Sequence, residues 1–247
     1  MQARKGGFVL KKALLTTLFI LSVIAGASHA SALSSFSEAG KQAVFLSPLE
    51  QWFPTWNLQD YLSPLEHAGY HVDVLLNENV SIAFLAENLT NYDIIILRTS
   101  WFELEGGMTF YCSGEPVNQT STAFAGEISS KELAIDFCVG FSALLLQSNY
   151  PPGSLRHGLV YVLGAAGGEL SSVFLAAGSS VFIGYSEDYY LMWGRMDALS
   201  QALFRYLSEG STVRDSVAQL YFYLCRGHGG TATWPLPSWI GDGRFKI

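Results

Sequence analysis

The run 93–98 (DIIILR) constrains the fold more than any other stretch of the chain. Three isoleucines and a leucine in succession show no alternation, so a strand built from them has apolar surroundings on both faces. Such strands belong to parallel sheets covered by helices on both sides. The segments before it fit that plan. Residues 42–48 (QAVFLSP) read as a first strand closed by proline. Residues 56–68 place Trp56, Leu58, Tyr61, Leu62 and Leu65 at helical spacing and stop at Gly69. Residues 70–76 (YHVDVLL) alternate as a strand, and 81–89 return to helical spacing. The order β-α-β-α-β predicts a doubly wound sheet.

The stretch 101–152 breaks this rhythm. Residues 109–113 and 123–128 read as short antiparallel strands around a turn rich in Gly, Pro and Asn, and 132–147 as a further apolar segment. The whole is expected to be an insertion after the third strand. The parallel pattern then resumes, with 157–164 (HGLVYVLG) as a strand, 170–177 as a helix and 180–185 (SVFIGY) as a strand. Two helices follow, 191–208 and 212–224. The second starts at Thr212, with Asp215 where a capping box carries Glu. Residues 227–247, rich in Gly, Pro and Trp, are expected to be irregular. The predicted domain is therefore 41–226, three α/β/α layers around a mainly parallel sheet, with an antiparallel hairpin insertion after the third strand.

The amino terminus has a different character. Arg4, Lys5, Lys11 and Lys12 precede fifteen uncharged apolar residues, 13–27, and small residues follow at Ser28-His29-Ala30 and Ala30-Ser31-Ala32. This is the layout of a secretory signal peptide over 1–30, with 31–40 as a linker. A retained anchor is the alternative, although the run is shorter than the ~20 residues of a spanning helix. Both readings put the domain outside the cytoplasm, secreted or on the cell surface, and touching a membrane only through this segment if it stays uncleaved. Sequons at Asn79, Asn88 and Asn118 mark glycosylation candidates consistent with that location. Cys112 and Cys138 can pair there and leave Cys225 over; buried free thiols are the other reading.

Charge excludes one class of function. The chain carries a net charge of −7; without residues 1–30 it has 10 basic and 21 acidic side chains, or −11. A nucleic-acid binder needs a basic face, so no nucleic-acid partner is expected. There is no Cys/His spacing for zinc, and the turn Gly164–Gly168 is neither a G-x-G-x-x-G fingerprint nor a phosphate loop. No metal or other cofactor is implied.

The succession DIIILRTS, HGLVYVLGAAGG, SSVFIGYSE and EGSTVRDSVA resembles the caspase–gingipain-like cysteine peptidases, in the style of uncharacterised secreted prokaryotic or archaeal members. The resemblance spans most of 42–218. It implies a caspase-like fold, a catalytic His after the third strand and a catalytic Cys in a small-residue turn after the fourth. Those positions fall on Ser100 and Ala165. Alanine has no nucleophile and serine is no base near neutral pH, so the dyad is not retained. His157 opens the fourth strand, about 25 Å from Ala165 at ~3.3 Å per residue.

What is left at the carboxyl edge of the sheet, where open α/β sheets assemble their sites, is a set of binding candidates: Arg98, Ser100, Trp56, Glu187, Asp188 and Tyr189. Arg98 ends an apolar strand and needs a carboxylate, with Glu187 or Asp188 as the expected partner. An ion pair closing the sheet edge is one reading, an anion site the other. Trp52, Phe53 and Trp56, with Tyr185, Tyr189, Tyr190 and Trp193, either line a groove or fill the rim. The sequence thus reads as a noncatalytic peptidase homologue binding a peptide, glycan or partner protein. The alternatives are an active cysteine peptidase with another dyad and a structural cell-surface component.

Overall fold

Parallel pairing radiates from β1 (Gln42–Ser47), which joins β2 (His71–Leu76) on one side and β3 (Ile94–Arg98) on the other. β3 continues to β8 (Leu159–Leu163), which pairs with β9 (Val181–Gly184), also in parallel. This computed structural model describes residues 40–117, 125–164, 168–185, 193–227 and 236–247. The described residues of Gly40–Ile247 form one compact unit. Ala165, Glu187, Asp188, Tyr189 and Asn118 lie outside the described residues, as do segments 1–30 and 31–39.

Alternation along β3 divides the core. Ile94 and Ile96 face α1 (Gln59–His67), α6 (Trp193–Ser208) and α7 (Val213–Gly227). Ile95 and Leu97 face α2 (Ile82–Glu87), α4 (Ala143–Asn149) and α5 (Gly168–Ala177). All five β3 residues are buried, as an unbroken apolar run requires. The three-layer α/β/α arrangement and the mainly parallel sheet agree with expectation.

So does an antiparallel insertion after the third strand, but its internal structure differs. The hairpin is β4 (Trp101–Leu104) and β5 (Met108–Cys112), turning at Glu105-Gly106-Gly107. β7 (Val139–Phe141) pairs with β5, and β6 (Leu133–Ile135) with β7. The stretch 123–128, expected to be a strand, instead contributes α3 (Ala125–Ser129). Alanine and glutamate favour helix there, and Ile128 is its one β-branched residue.

The segment expected to be irregular, 227–247, carries β10 (Ser238–Gly241), antiparallel to β9 at the sheet edge. The residues beyond it serve α7: Val213 and Arg214 N–H groups donate to the Phe245 and Gly243 carbonyls at 3.0 and 2.9 Å. First-turn N–H groups lack partners within their own helix, so this segment completes the fold. At the same helix start, Asp215 N–H donates to Thr212 Oγ1 at 3.1 Å, and that hydroxyl donates to Asp215 Oδ2 at 2.7 Å. No helix among the described residues is long and apolar enough to cross a membrane.

Candidate functional site

Arg98 is the last residue of β3 and, by alternation, shares the face of Ile94 and Ile96. Its side chain is 1% exposed. Nε donates to Asp197 Oδ1 at 2.9 Å and Nη2 to Asp197 Oδ2 at 3.0 Å, a bidentate pair. Nη1 donates to the Phe53 carbonyl at 2.6 Å and Ser47 Oγ at 3.4 Å, and Glu50 Oε2 lies 3.8 Å away. The Trp193 ring covers the guanidinium, 4.6 Å from its carbon to the centroid. Arg98 is thereby enclosed by β1, its following loop and α6. The partner is Asp197, where the sequence had pointed to Glu187 or Asp188. A helix inserted against the strand ends supplies the carboxylate.

Asp197 also accepts from Tyr61 Oη at 2.9 Å. One turn on, Ser200 Oγ contacts Tyr161 Oη, which lies 2.9 Å from Tyr185 Oη. Burial pushes the Tyr185 hydroxyl up to about 12, and raises those of Tyr61 and Tyr161 well above their ordinary value. These hydroxyls are protonated, hydrogen-bonded (Tyr61 to Asp197, Tyr161 to Tyr185) and closed to solvent. The network stiffens the sheet edge from behind.

Ser100, two residues past Arg98, is half-buried. Its carbonyl accepts from Cys112 N–H at 2.9 Å, and the Thr99 hydroxyl donates to the Cys112 carbonyl at 2.7 Å. Opposite stands Gly164, whose φ is 140°. A Cβ there would lie 1.5 Å from the Thr99 carbonyl oxygen, so the ends of β3 and β8 meet backbone to backbone. Cys112 and Cys138 form a disulfide, which settles the pairing left open by the sequence. His67 closes α1 next to the start of β2, His71 begins β2, and His157 lies two residues ahead of β8. All three imidazoles sit at the amino edge of the sheet, away from Ser100.

The aromatic residues divide. Phe53 stacks on Trp193 with centroids 5.5 Å apart, joining the two predicted clusters as rim packing. Trp52 and Trp56 are 53% and 73% exposed. Trp56 rests beside α6, its carbonyl accepting from the Gln201 amide. Trp52 borders a cleft of about 520 Å3 between the ends of β1 and β2 and the insertion. Phe137, which the sequence did not mark, lines it too; its exposure, 47%, becomes evident only once β6 and β7 turn it outward. Asn77 and Glu78, just after β2, also line it, and Gln51 N–H donates to Asn77 Oδ1 at 2.8 Å. Of the sequons, Asn79 is exposed on the turn after β2 and Asn88 is half-buried. Among the described residues, no three His, Cys, Asp or Glu side chains converge as a metal site.

No family model matches the chain, and no curated protein matches it. Among solved structures, the crystal structure of the Drosophila initiator caspase Dronc is similar: 9% identity over 83% of this chain and 80% of that one, with a TM-score of 0.38. At that identity and TM-score the likeness assigns neither family nor activity.

Proposed function

We propose that the protein is an exported, noncatalytic binding domain on a caspase-like scaffold, with its ligand at the carboxyl edge of the sheet. The observation that carries this reading is the separation of the reactive side chains. Cysteine-peptidase chemistry needs a thiolate within reach of an imidazole. Among the described side chains, His67, His71 and His157 occupy the amino edge, while Cys112 and Cys138 are bonded to each other. At the carboxyl edge Arg98 is consumed by Asp197, and the position of the family's His is Ser100. The exposed Trp52 and Phe137 beside a cleft support recognition there.

Export is supported by the basic and apolar amino terminus and by the disulfide, a bond that persists in oxidising compartments. Asn79, exposed on a turn, is the best placed glycan acceptor. The test is direct. The secreted protein is treated with thiol-directed peptidase probes and a mixed peptide library, beside the Ser100→His, Ala165→Cys double variant. Absence of labelling and cleavage in the unmodified protein is the expected result; labelling at a cysteine refutes the noncatalytic reading.

A further inference from the structure

The cleft at the ends of β1 and β2 has a chemistry of its own. Two aromatic rings that line it, Trp52 and Phe137, present about half their surface to solvent. Phe137 is braced edge-on by Phe102, with centroids 5.8 Å apart, which leaves the rest of the ring outward. The same cleft is lined by Gln51 and Glu78, and neither the Gln51 side-chain amide nor the Glu78 carboxylate has a hydrogen-bond partner among the described residues. Glu115 also lines the cleft, but its carboxylate accepts the Ile82 N–H at 3.3 Å. No Lys, Arg or His stands among the described lining residues.

The walls are held in place. Asn77 has a φ of 51°, uncommon outside glycine, and its side chain accepts from the loop after β1. Gly114 packs so closely that a Cβ would lie 1.7 Å from the Asn77 carbonyl oxygen. The disulfide ties the lining residue Cys138 to Cys112 at the end of β5. A preformed cleft loses little freedom on binding, and its size falls within the ~300–1,000 Å3 of small-molecule sites.

We propose that this cleft binds an uncharged oligosaccharide, with Trp52 and Phe137 stacking on sugar faces and Gln51 and Glu78 bonding its hydroxyls. The assignment rests on the binding-domain reading above and narrows it. Anionic ligands are disfavoured by two carboxylates with no cation to offset them. A single exposed, unpaired carboxylate holds a cation only weakly. Sugar hydroxyls both donate and accept, so they satisfy an amide and a carboxylate together, and the pyranose C–H faces cover the rings that water now wets.

The experiment titrates the secreted protein with neutral hexasaccharides of glucose, N-acetylglucosamine, xylose and mannose, with a sulfated oligosaccharide and Lys/Arg-rich peptides alongside. Heat and the quenching of tryptophan fluorescence by acrylamide are read together. At least one neutral hexasaccharide binds and shields tryptophan. Trp52→Ala and Phe137→Ala each weaken that binding by roughly tenfold or more. Phe222→Ala, on the exposed face of α7, leaves it unchanged. Because Trp52 is exposed, its truncation spares the fold, as circular dichroism verifies. Failure of every neutral hexasaccharide to bind, or binding indifferent to Trp52 and Phe137, overturns the assignment. Trp52-dependent binding of the basic peptides alone also overturns it while leaving the binding-domain reading intact. Labelling by a peptidase probe removes that reading instead.

Discussion

Both carboxylate oxygens of Asp197 are held by Arg98, at 2.9 Å from Nε and 3.0 Å from Nη2, which ties the end of β3 to the second turn of α6. Each residue is 1% exposed, so removing either strands the other's charge in the core. Asp197→Ala is expected to cost about 3–5 kcal/mol in urea unfolding. The double variant Arg98→Met, Asp197→Leu should cost clearly less than either single truncation, because no charge is left behind. A double variant as unstable as Asp197→Ala would show that shape, and not charge, holds this edge.

Gly164→Ala tests the crossing of β3 and β8. The added methyl meets the Thr99 carbonyl at 1.5 Å, and φ of 140° is unfavourable for any L side chain. Backbone has to move on one side, so a loss of several kcal/mol is expected, on the scale of a serious core defect. Gly126→Ala in α3 is the control: nothing lies within 4 Å of its Cβ position, and alanine favours helix by roughly 0.5–1 kcal/mol. Thermal melting of the two variants should move in opposite directions.

What the sequence revealed follows from how local each signal is. β3 and β8 were legible because unbroken apolar runs admit few other uses. β10 was not: four residues, Ser238–Gly241, sit in a stretch whose glycines and prolines dominate its composition, and only pairing with β9 defines it. In the insertion, Gly106 and Gly107 carried the real hairpin signal, with φ of 101° and 79°, while the Pro- and Asn-rich stretch drew the attention. Arg98 announced that it needed a carboxylate, yet Asp197 lies 99 residues away. A signal for it existed: Asp197 interrupts the buried stripe of Met196, Leu199 and Leu203 on α6. The cleft was least legible, since its walls come from four separated segments and Phe137 looks ordinary in sequence.

The disulfide predicts a redox-dependent stability. Cys112 and Cys138 are 26 residues apart, and closing a loop of that length stabilises by about 3.5 kcal/mol on chain entropy alone. Reduction, or Cys112→Ser with Cys138→Ser, should lower Tm by roughly 10 °C for a domain of this size. Mass spectrometry of the native protein should find one internal disulfide and a thiol at Cys225. Since the bond also fixes one wall of the cleft, reduction should raise acrylamide quenching of Trp52 before the domain unfolds.

The buried hydroxyls predict an alkaline limit. Burial raises Tyr185 to about 12 and lifts Tyr61 and Tyr161 well above their ordinary value, whereas in the unfolded chain each titrates near 10. Between those values the unfolded chain has lost protons that the folded one still holds, so stability falls as pH rises. The contribution is fully present below about pH 10, and each such tyrosine then costs about 1.4 kcal/mol per pH unit. With Tyr70, Tyr92 and Tyr150, whose hydroxyls burial also raises, they give a steep loss of urea midpoint above pH 10, and Tyr61, Tyr161 and Tyr185 contribute no tyrosinate absorbance until the domain opens. Tyr161→Phe removes one of these six groups and should flatten the slope by roughly a sixth. A flat midpoint through pH 11 would mean that these hydroxyls ionise in the folded state.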